Sequence, residues 1–325
     1  MIRWIFCFSF VLLAACAPRL QAPLNGREMP AFDGGTVLMA DGAELPLRSW
    51  RPETPRAAII AVHGFNEYSN LFAMPGPWFA ERGIAVYAYD QRGFGKAPGR
   101  GLWPGDEVLT ADLETVVRLV RARHPDIPVF VLGTSMGGAV ALSAAAERAD
   151  PKPAGLILVA PAVWGWSSLN PFYRAALWIA AHTMPWQTFT GGDLGVQASD
   201  NIEMLRALGR DPLVIKETRT DAIYGLVGLM ERAYASVEAV RVPVLLLYGA
   251  HDEVIPAEPI AAIRRRFTAP LTTAVYPNGW HMLLYDLQRE IVWADIETWM
   301  ADATRPLPSG EMLPATSAIR TAAKP

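Results

Sequence analysis

The chain has 325 residues, of which 51% are hydrophobic, and a formal net charge of -3 at pH 7. This length and apolar content are enough for one sizeable core, so we expect one main domain. Proteins that follow a nucleic-acid backbone carry clustered Lys and Arg, so the absence of a basic excess argues against a nucleic-acid partner.

The N-terminal residues 1–15 are predicted to be a signal peptide. Arg3 precedes about ten mostly apolar residues, too few for the roughly 20 that cross a bilayer as a helix. Residues 13–16 (LAAC) resemble the bacterial lipobox, which implies that Cys16 is lipidated, becomes the first mature residue and anchors the protein to a membrane. Ala17 after it implies, by analogy with lipoprotein sorting, the outer membrane of the cell envelope. Alternatively, an ordinary peptidase cuts at residues 15–17 and releases a soluble periplasmic or secreted protein.

The body of the chain alternates apolar runs with helical stretches. A linker over residues 16–35 precedes a predicted antiparallel hairpin at 36–51, which turns at Asp41-Gly42. Unbroken apolar runs then predict buried strands at residues 57–62, 84–89, 129–132, 156–159, 242–248 and 272–276. The stretches between them predict helices at 78–82, 108–123, 136–148, 259–267 and 289–300. This alternation predicts an α/β fold with a mostly parallel sheet and helices on both faces. No cysteine follows residue 16, so this body contains no intrachain disulfide.

One connection is much longer than the others. About eighty residues separate the fourth and fifth buried strands, and we interpret residues 165–236 as a helical cap inserted between two parts of the core, 36–164 and 237–301. Trp178, Trp186 and Phe189 are candidates for lining an acyl pocket or for touching a membrane; alternatively, they pack the cap onto the body. Residues 302–325 are rich in Pro, Ala, Thr and Ser, which predicts a disordered tail.

A candidate nucleophile lies in the turn at residues 133–137 (GTSMG). A G-x-S-x-G match alone is weak, but here a buried strand leads into it and an Ala-rich helix follows. Glycines around the serine avoid clashes in a sharp strand-to-helix turn, and the helix N-terminus favours a developing negative charge. We therefore predict Ser135 as the nucleophile.

A serine hydroxyl needs a base, and that base needs a group to orient it. In strand-turn-helix serine hydrolases the chain order is serine, acid, histidine. His281 follows the last predicted strand and fits the base, and Asp252 follows the strand at 242–248 and fits the acid. Glu253 is the neighbouring alternative for the acid, and Asp286 fits less well because it comes after the histidine.

An attacked carbonyl also needs donors for its developing negative charge. Two backbone N–H groups are predicted to supply them: Met136, directly after the nucleophile, and Phe65, after His63-Gly64 at the end of the first parallel strand. The alternative for His63-Gly64 is a purely structural strand exit.

These motifs together resemble the monoacylglycerol lipase and lysophospholipase group of α/β-hydrolases. The resemblance covers about residues 35–300 and rests on segments 63–69 (HGFNEYS), 90–95 (DQRGFG), 133–138 (GTSMGG) and 249–252 (GAHD), with His281. Members of the group generally carry His where Tyr68 stands and Ser where Ala97 stands. The resemblance implies the α/β-hydrolase fold and a cap that forms a hydrophobic lid over an acyl tunnel.

The sequence therefore predicts a serine hydrolase of small lipid esters that works through an acyl-enzyme. It predicts neither metal nor organic cofactor, because the triad chemistry needs none and Cys/His ligand spacings are absent. Two alternatives stay open: a thioester, amide or small aryl ester substrate, and a lipid-anchored envelope binding protein whose hydrolase fold is vestigial.

Overall fold

A computed structural model describes residues 17–147, 152–191, 195–314, 317–319 and 321 of the chain. The predicted signal peptide and Cys16 lie outside the described residues. Among the helices in these ranges, none combines the length and the apolar content needed to cross a bilayer.

The centre of the molecule is a β-sheet. The strands of the described chain are β1 (Ala31–Asp33), β2 (Thr36–Leu38), β3 (Glu44–Trp50), β4 (Ala57–Val62), β5 (Ile84–Tyr89), β6 (Val129–Thr134), β7 (Gly155–Val159), β8 (Thr188–Thr190), β9 (Glu217–Arg219), β10 (Val244–Gly249) and β11 (Leu271–Tyr276). Nine of them form the main sheet in the order β1-β2-β3-β5-β4-β6-β7-β10-β11. The pairs up to β3-β5 are antiparallel and all later pairs are parallel. The predicted mostly parallel sheet is confirmed, and β1 is an additional strand within the predicted linker.

Helices cover both faces of this sheet. The α-helices of the described residues are α1 (Pro75–Ala80), α2 (Asp106–Arg123), α3 (Met136–Ala146), α4 (Pro171–Thr183), α5 (Ile202–Arg210), α6 (Thr220–Ser236), α7 (Ala257–Arg266) and α8 (Arg289–Ala301). Side chains alternate along each strand, so Ile60 enters the core under α2, α3 and α7 while Ile59 enters the core under α1 and α8. Because both faces of the sheet are buried, the sequences of the central strands are unbroken runs of apolar residues.

The parallel strands bring four chain segments to one edge of the sheet. Strands β4, β6, β10 and β11 end at Val62, Thr134, Gly249 and Tyr276, and the residues that follow them meet at the carboxyl edge. Open α/β sheets bind their ligands at this edge. This is the edge where sequence reasoning places the nucleophile, the acid, the base and one oxyanion donor.

The insertion between β7 and β10 holds α4, α5 and α6 with the small antiparallel sheet β8-β9. Helix α6 packs against α3 of the body and α4 packs against α6. Helix α4 is thus the outer layer of the insertion, and twelve of its thirteen residues, all but Ala181, are exposed or only partly covered.

The segment after α8 differs from the expected disordered tail. Leu307 is buried, and the Leu313 N–H donates a hydrogen bond to the Thr273 carbonyl on the outer strand β11. The Arg264 guanidinium donates to the carbonyls of Leu313 and Ser317. An edge strand has unpaired backbone N–H and C=O groups that can bind another segment. Here the C-terminal segment, whose low apolar content predicted disorder, is held by such hydrogen bonds.

Candidate active site

Ser135 occupies the turn between β6 and α3. Its backbone is left-handed, with φ 49° and ψ -116°, a conformation that is costly for a residue with a side chain and is common at functional sites. A Cβ atom at Gly133 would lie 2.3 Å from the Gly137 carbonyl oxygen, and one at Gly137 would lie 2.1 Å from the Val62 carbonyl oxygen. The two glycines of the motif are therefore required by close backbone contacts.

His281 and Asp252 form a hydrogen-bonded pair. The distance from His281 Nδ1 to Asp252 Oδ2 is 2.9 Å, and the Asp252 side chain has no exposed surface. The other carboxylate oxygen accepts the N–H groups of Val254, at 2.8 Å, and Ile255, at 2.9 Å. Since the carboxylate accepts the Nδ1 proton, Nε2 of the neutral imidazole is left as an acceptor for a hydroxyl proton.

Charges around His281 favour its protonated form. Burial lowers the pKa of His281, but the charge and the hydrogen bond of Asp252, together with the carboxyl groups of Glu67 and Asp286, outweigh burial and raise this pKa above 6.5. Burial also raises the pKa of Glu67 to about 7, against the opposing effects of His281 and of the Gly64 N–H, which donates to Glu67 at 3.0 Å. A base with a raised pKa accepts a proton readily near neutral pH.

The loop after β4 passes directly beside the nucleophile. A Cβ atom at Gly64 would lie 3.4 Å from the Cβ of Ser135. His63, which precedes it, is fully buried, and its Nε2 accepts the Gln91 N–H at 2.9 Å. Nδ1 of His63 therefore carries the proton and donates to the Gly64 carbonyl oxygen at 2.8 Å. Burial lowers the pKa of His63 to about 4, so this histidine is neutral and does not act as the base.

This contact fixes the direction of a predicted oxyanion donor. The Gly64 carbonyl and the Phe65 N–H belong to one planar trans peptide, in which the two groups point in opposite directions. Because His63 binds the carbonyl, the Phe65 N–H points to the opposite side of this peptide. Met136 is the first residue of α3, where the backbone N–H has no partner within the helix.

The loop after β5 supports the loop after β4. Asp90 accepts the Ser69 N–H at 3.0 Å and the Lys96 N–H at 2.9 Å, and thus joins the two loops. Arg92 binds Asp112 on α2 through two hydrogen bonds of 2.7 and 2.9 Å, and it also binds Asp41 of the hairpin. The motif at residues 90–95 therefore serves to hold the loop beside Ser135 in place.

Residues of the cap also form hydrogen bonds with the loop after β4. The Asn66 side chain donates to Thr218 at 2.6 Å, and the Asn66 carbonyl accepts the Ile215 N–H at 2.9 Å. The Tyr68 hydroxyl donates to Asp211, the residue that ends α5, at 2.7 Å. Tyr68, a departure from the family pattern, thus links the loop after β4 directly to the cap.

Other candidate groups lie away from the nucleophile. His124 contacts the Tyr87 hydroxyl, and His251 stacks on Trp280 with 5.1 Å between ring centroids. Glu253, the alternative acid, accepts the Gln197 N–H. In the cap, His182 stacks on Trp178 at 4.2 Å.

The predicted cap contacts with substrate need correction. Trp178, Trp186 and Phe189 are each more than half exposed, and the described lining of the cavity beside Ser135 contains none of them. Helix α4 packs against α6, which keeps its outer face away from the body. The three rings therefore do not line the cavity that the structure describes beside Ser135.

Three polar residues have contacts at the site that the sequence did not predict, although Asp286 was considered as an alternative acid. Glu67 faces His281, and Asp286 accepts the Trp280 N–H at 2.8 Å and the Ser199 hydroxyl at 2.6 Å, holding the loop that carries His281. Tyr68 is the third. The position of Glu67 four residues after His63, within the quoted motif, is the one signal that could have identified it.

A cavity opens beside the nucleophile. Ser135, His281 and Glu67 line it together with apolar groups from the loops after β4 and β11. Its volume of about 20 Å³ leaves room for little more than one water molecule, so an ester binds only after the side chains or loops around the cavity move.

Comparisons with known proteins show which family and fold the chain resembles. The model of the family "serine aminopeptidase, S33" matches residues 53–288. Monoacylglycerol lipase of Mycolicibacterium smegmatis is 26% identical over 80% of this chain and 93% of its own, and human monoglyceride lipase is 27% identical over 86% and 93%. A soluble variant of monoglyceride lipase from Saccharomyces cerevisiae has a TM-score of 0.70 at 21% identity over 88% of this chain and 98% of its own. The monoacylglycerol lipase structure from Paleococcus ferrophilus has a TM-score of 0.67 at 23% identity over 80% and 100%.

Proposed function

The chain belongs to the serine aminopeptidase S33 family of α/β-hydrolases, and from that premise we propose that it hydrolyses lipid esters with one acyl chain, monoacylglycerols or lysophospholipids. It is a carboxylic ester hydrolase. The observation that carries the proposal is the strained turn that presents Ser135 to a cavity shared with His281, whose other nitrogen is bound to Asp252. A lipid substrate is supported by the monoacylglycerol and monoglyceride lipases among the relatives, because the comparison covers 93% of the length of each of the two named above.

The proposed reaction has two steps. The Ser135 hydroxyl attacks the ester carbonyl carbon while His281 Nε2 takes its proton, and the Phe65 and Met136 N–H groups bind the oxyanion. His281 then gives the proton to the leaving alcohol, which departs and leaves the acyl group on Ser135. A water molecule, deprotonated by His281, attacks the acyl-enzyme and releases the fatty acid and the free serine. Asp252 orients the imidazole and stabilises the imidazolium throughout.

We also propose that the mature protein is attached to the bacterial outer membrane through a lipid on Cys16. The support is the LAAC sequence at residues 13–16, and the other outcome is a soluble periplasmic or secreted protein. Radiolabelled palmitate should enter the wild-type protein and be lost in Cys16→Ser. Incorporation that persists in the variant contradicts lipidation at this residue.

Labelling with a fluorophosphonate tests the nucleophile. Wild type should be labelled and Ser135→Ala should not, whereas unlabelled wild type or a labelled variant would support the vestigial binding protein instead. A series of monoacylglycerols, lysophospholipids, p-nitrophenyl esters and thioesters, with Ser135→Ala as the blank, then tests the substrate class. A kcat/KM highest for thioesters or for short aryl esters contradicts the lipid proposal.

A further inference from the structure

Exposed apolar side chains are concentrated in one segment of the cap, residues 172–189. We use "cap surface" for the six that are more than half exposed: Phe172, Tyr173, Trp178, Ile179, Trp186 and Phe189. Residues 164–191 contain no Asp, Glu or Lys; their basic residues are Arg174 and His182. Trp and Tyr prefer the boundary between lipid and water, and an apolar helix face without carboxylates enters that boundary at little electrostatic cost. The chemistry of the cap surface therefore fits a lipid bilayer.

The beginning of the described chain is bound to the body. We call residues 19–21 the N-terminal strap: Leu20 pairs with Trp103, and the Gln21 N–H donates to the Trp103 carbonyl at 3.0 Å. The Gln21 amide donates to the carbonyls of Leu102, at 3.1 Å, and Gly99, at 3.3 Å. A Cβ atom at Gly99 would lie 2.3 Å from Gln21 Cδ. The strap therefore follows a fixed path along the loop at residues 99–103.

This path ends at the cap. The Arg19 N–H donates to Asp221 Oδ2 at 3.3 Å, and Asp221 lies in the first turn of α6. The Asp221 N–H in turn donates to the carbonyl of Pro185, which immediately precedes Trp186 of the cap surface. Cys16 comes three residues before Arg19, and three residues span at most about 11 Å.

We propose that the N-terminal strap holds the lipid on Cys16 beside the cap surface, so that the lipid anchor and the cap surface enter the same bilayer. The inference rests on the lipidation of Cys16 proposed above. Two acyl chains already give stable attachment, so the cap surface adds orientation more than affinity. This orientation turns the cap toward the membrane that supplies lipid esters.

Site-specific fluorescence tests the orientation. The chain after residue 16 has no cysteine, so Tyr173→Cys supplies the one free thiol of the lipidated protein for an environment-sensitive dye. Ala122→Cys is the matched control, because Ala122 is exposed near the end of α2, at the opposite edge of the sheet. The lipidated protein is bound to vesicles of phosphatidylethanolamine and phosphatidylglycerol that carry nitroxide lipids. We expect quenching of the dye at residue 173 and none at residue 122; equal quenching, or none at either position, overturns the proposal.

A second variant tests the strap. Twenty Gly and Ser residues inserted between Ala17 and Pro18 lengthen the tether by about 25 Å, and quenching at residue 173 should fall about twofold or more. Unchanged quenching refutes a role for the strap.

Two further measurements distinguish a failure of this docking proposal from a failure of the proposed catalytic function. Every variant should hydrolyse soluble p-nitrophenyl butyrate at the wild-type rate, so loss of that activity reports on Ser135 chemistry and not on docking. If the Cys16 thiol of the wild type takes up the dye, lipidation is absent and the docking proposal fails while the catalytic one stands.

Discussion

Replacing His63 by phenylalanine tests how the oxyanion donor is positioned. The phenyl ring fills a similar buried volume but removes the hydrogen bond to the Gly64 carbonyl and the acceptor of the Gln91 N–H. The Gly64–Phe65 peptide then loses the contact that fixes its plane, and the Phe65 N–H is free to turn away from the oxyanion.

Two effects follow, on stability and on rate. Leaving two buried polar groups without partners costs about 1–3 kcal/mol each, so the free energy of unfolding should fall by about 2–6 kcal/mol. Loss of one oxyanion donor lowers kcat by about 10²–10³. Because the pKa of His63 is about 4, the histidine is neutral at pH 6 and above, and the variant should lose the same factor in kcat at pH 6 and at pH 9.

The assay is p-nitrophenyl butyrate turnover at several pH values, with thermal unfolding followed by circular dichroism to identify the range in which the variant is folded. His124→Phe is the control: it also removes a histidine hydrogen bond, to the Tyr87 hydroxyl, but lies away from Ser135. His63→Asn keeps a side-chain donor and should recover part of the rate. A folded His63→Phe enzyme with kcat within about threefold of wild type, against the expected 10² or more, would refute the reasoning.

Two shorter predictions concern residues around the nucleophile. Glu67→Gln removes a negative charge that raises the pKa of His281; since catalysis needs neutral His281, the midpoint at which kcat/KM falls on acidification should move to lower pH, and an unchanged midpoint contradicts the role of Glu67. Gly137→Ala places a Cβ atom against the Val62 carbonyl and should lower the free energy of unfolding by about 1–3 kcal/mol in urea titrations, whereas Gly209→Ala meets no atom within 4 Å and should be neutral or stabilising.

The sequence carries most of the information about the fold and about the positions of the triad residues. Buried parallel strands give continuous apolar runs, and a nucleophile turn between a strand and a helix needs glycines at fixed positions, so both features are visible locally. The positions of Asp252 and His281 after successive strands then follow from topology, because parallel strands end at one edge.

The remaining features depend on contacts between distant segments. The direction of the cap aromatics depends on which face of α4 meets α6, and an apolar stripe alone does not distinguish a lipid-facing surface from a pocket. The C-terminal segment is held by Arg264, which lies 49 residues before Leu313, and by the edge of β11. The Gln21 contacts also join distant segments. Such contacts depend on packing geometry, which composition and periodicity do not contain.

The loop after β4, which carries the predicted oxyanion donor Phe65, is held by contacts to the body and by the Tyr68 contact to the cap. A substitution at Tyr68 separates these two sets of contacts. Tyr68→Phe removes the hydrogen bond to Asp211 in the cap but leaves the His63 and Asp90 contacts of the body in place. A hydrogen bond to a charged group contributes about 1.5–3 kcal/mol, and 1.4 kcal/mol corresponds to a factor of ten in an equilibrium constant. If this bond favours the closed cap, kcat/KM for a long-chain monoacylglycerol should fall about tenfold or more, while that for p-nitrophenyl butyrate, which needs little of the cap, stays near wild type. His63→Phe should reduce both. Equal losses for the two substrates in Tyr68→Phe would mean that the cap-side contact supports the oxyanion donor itself, and that the cap and the catalytic loop act as one rigid unit.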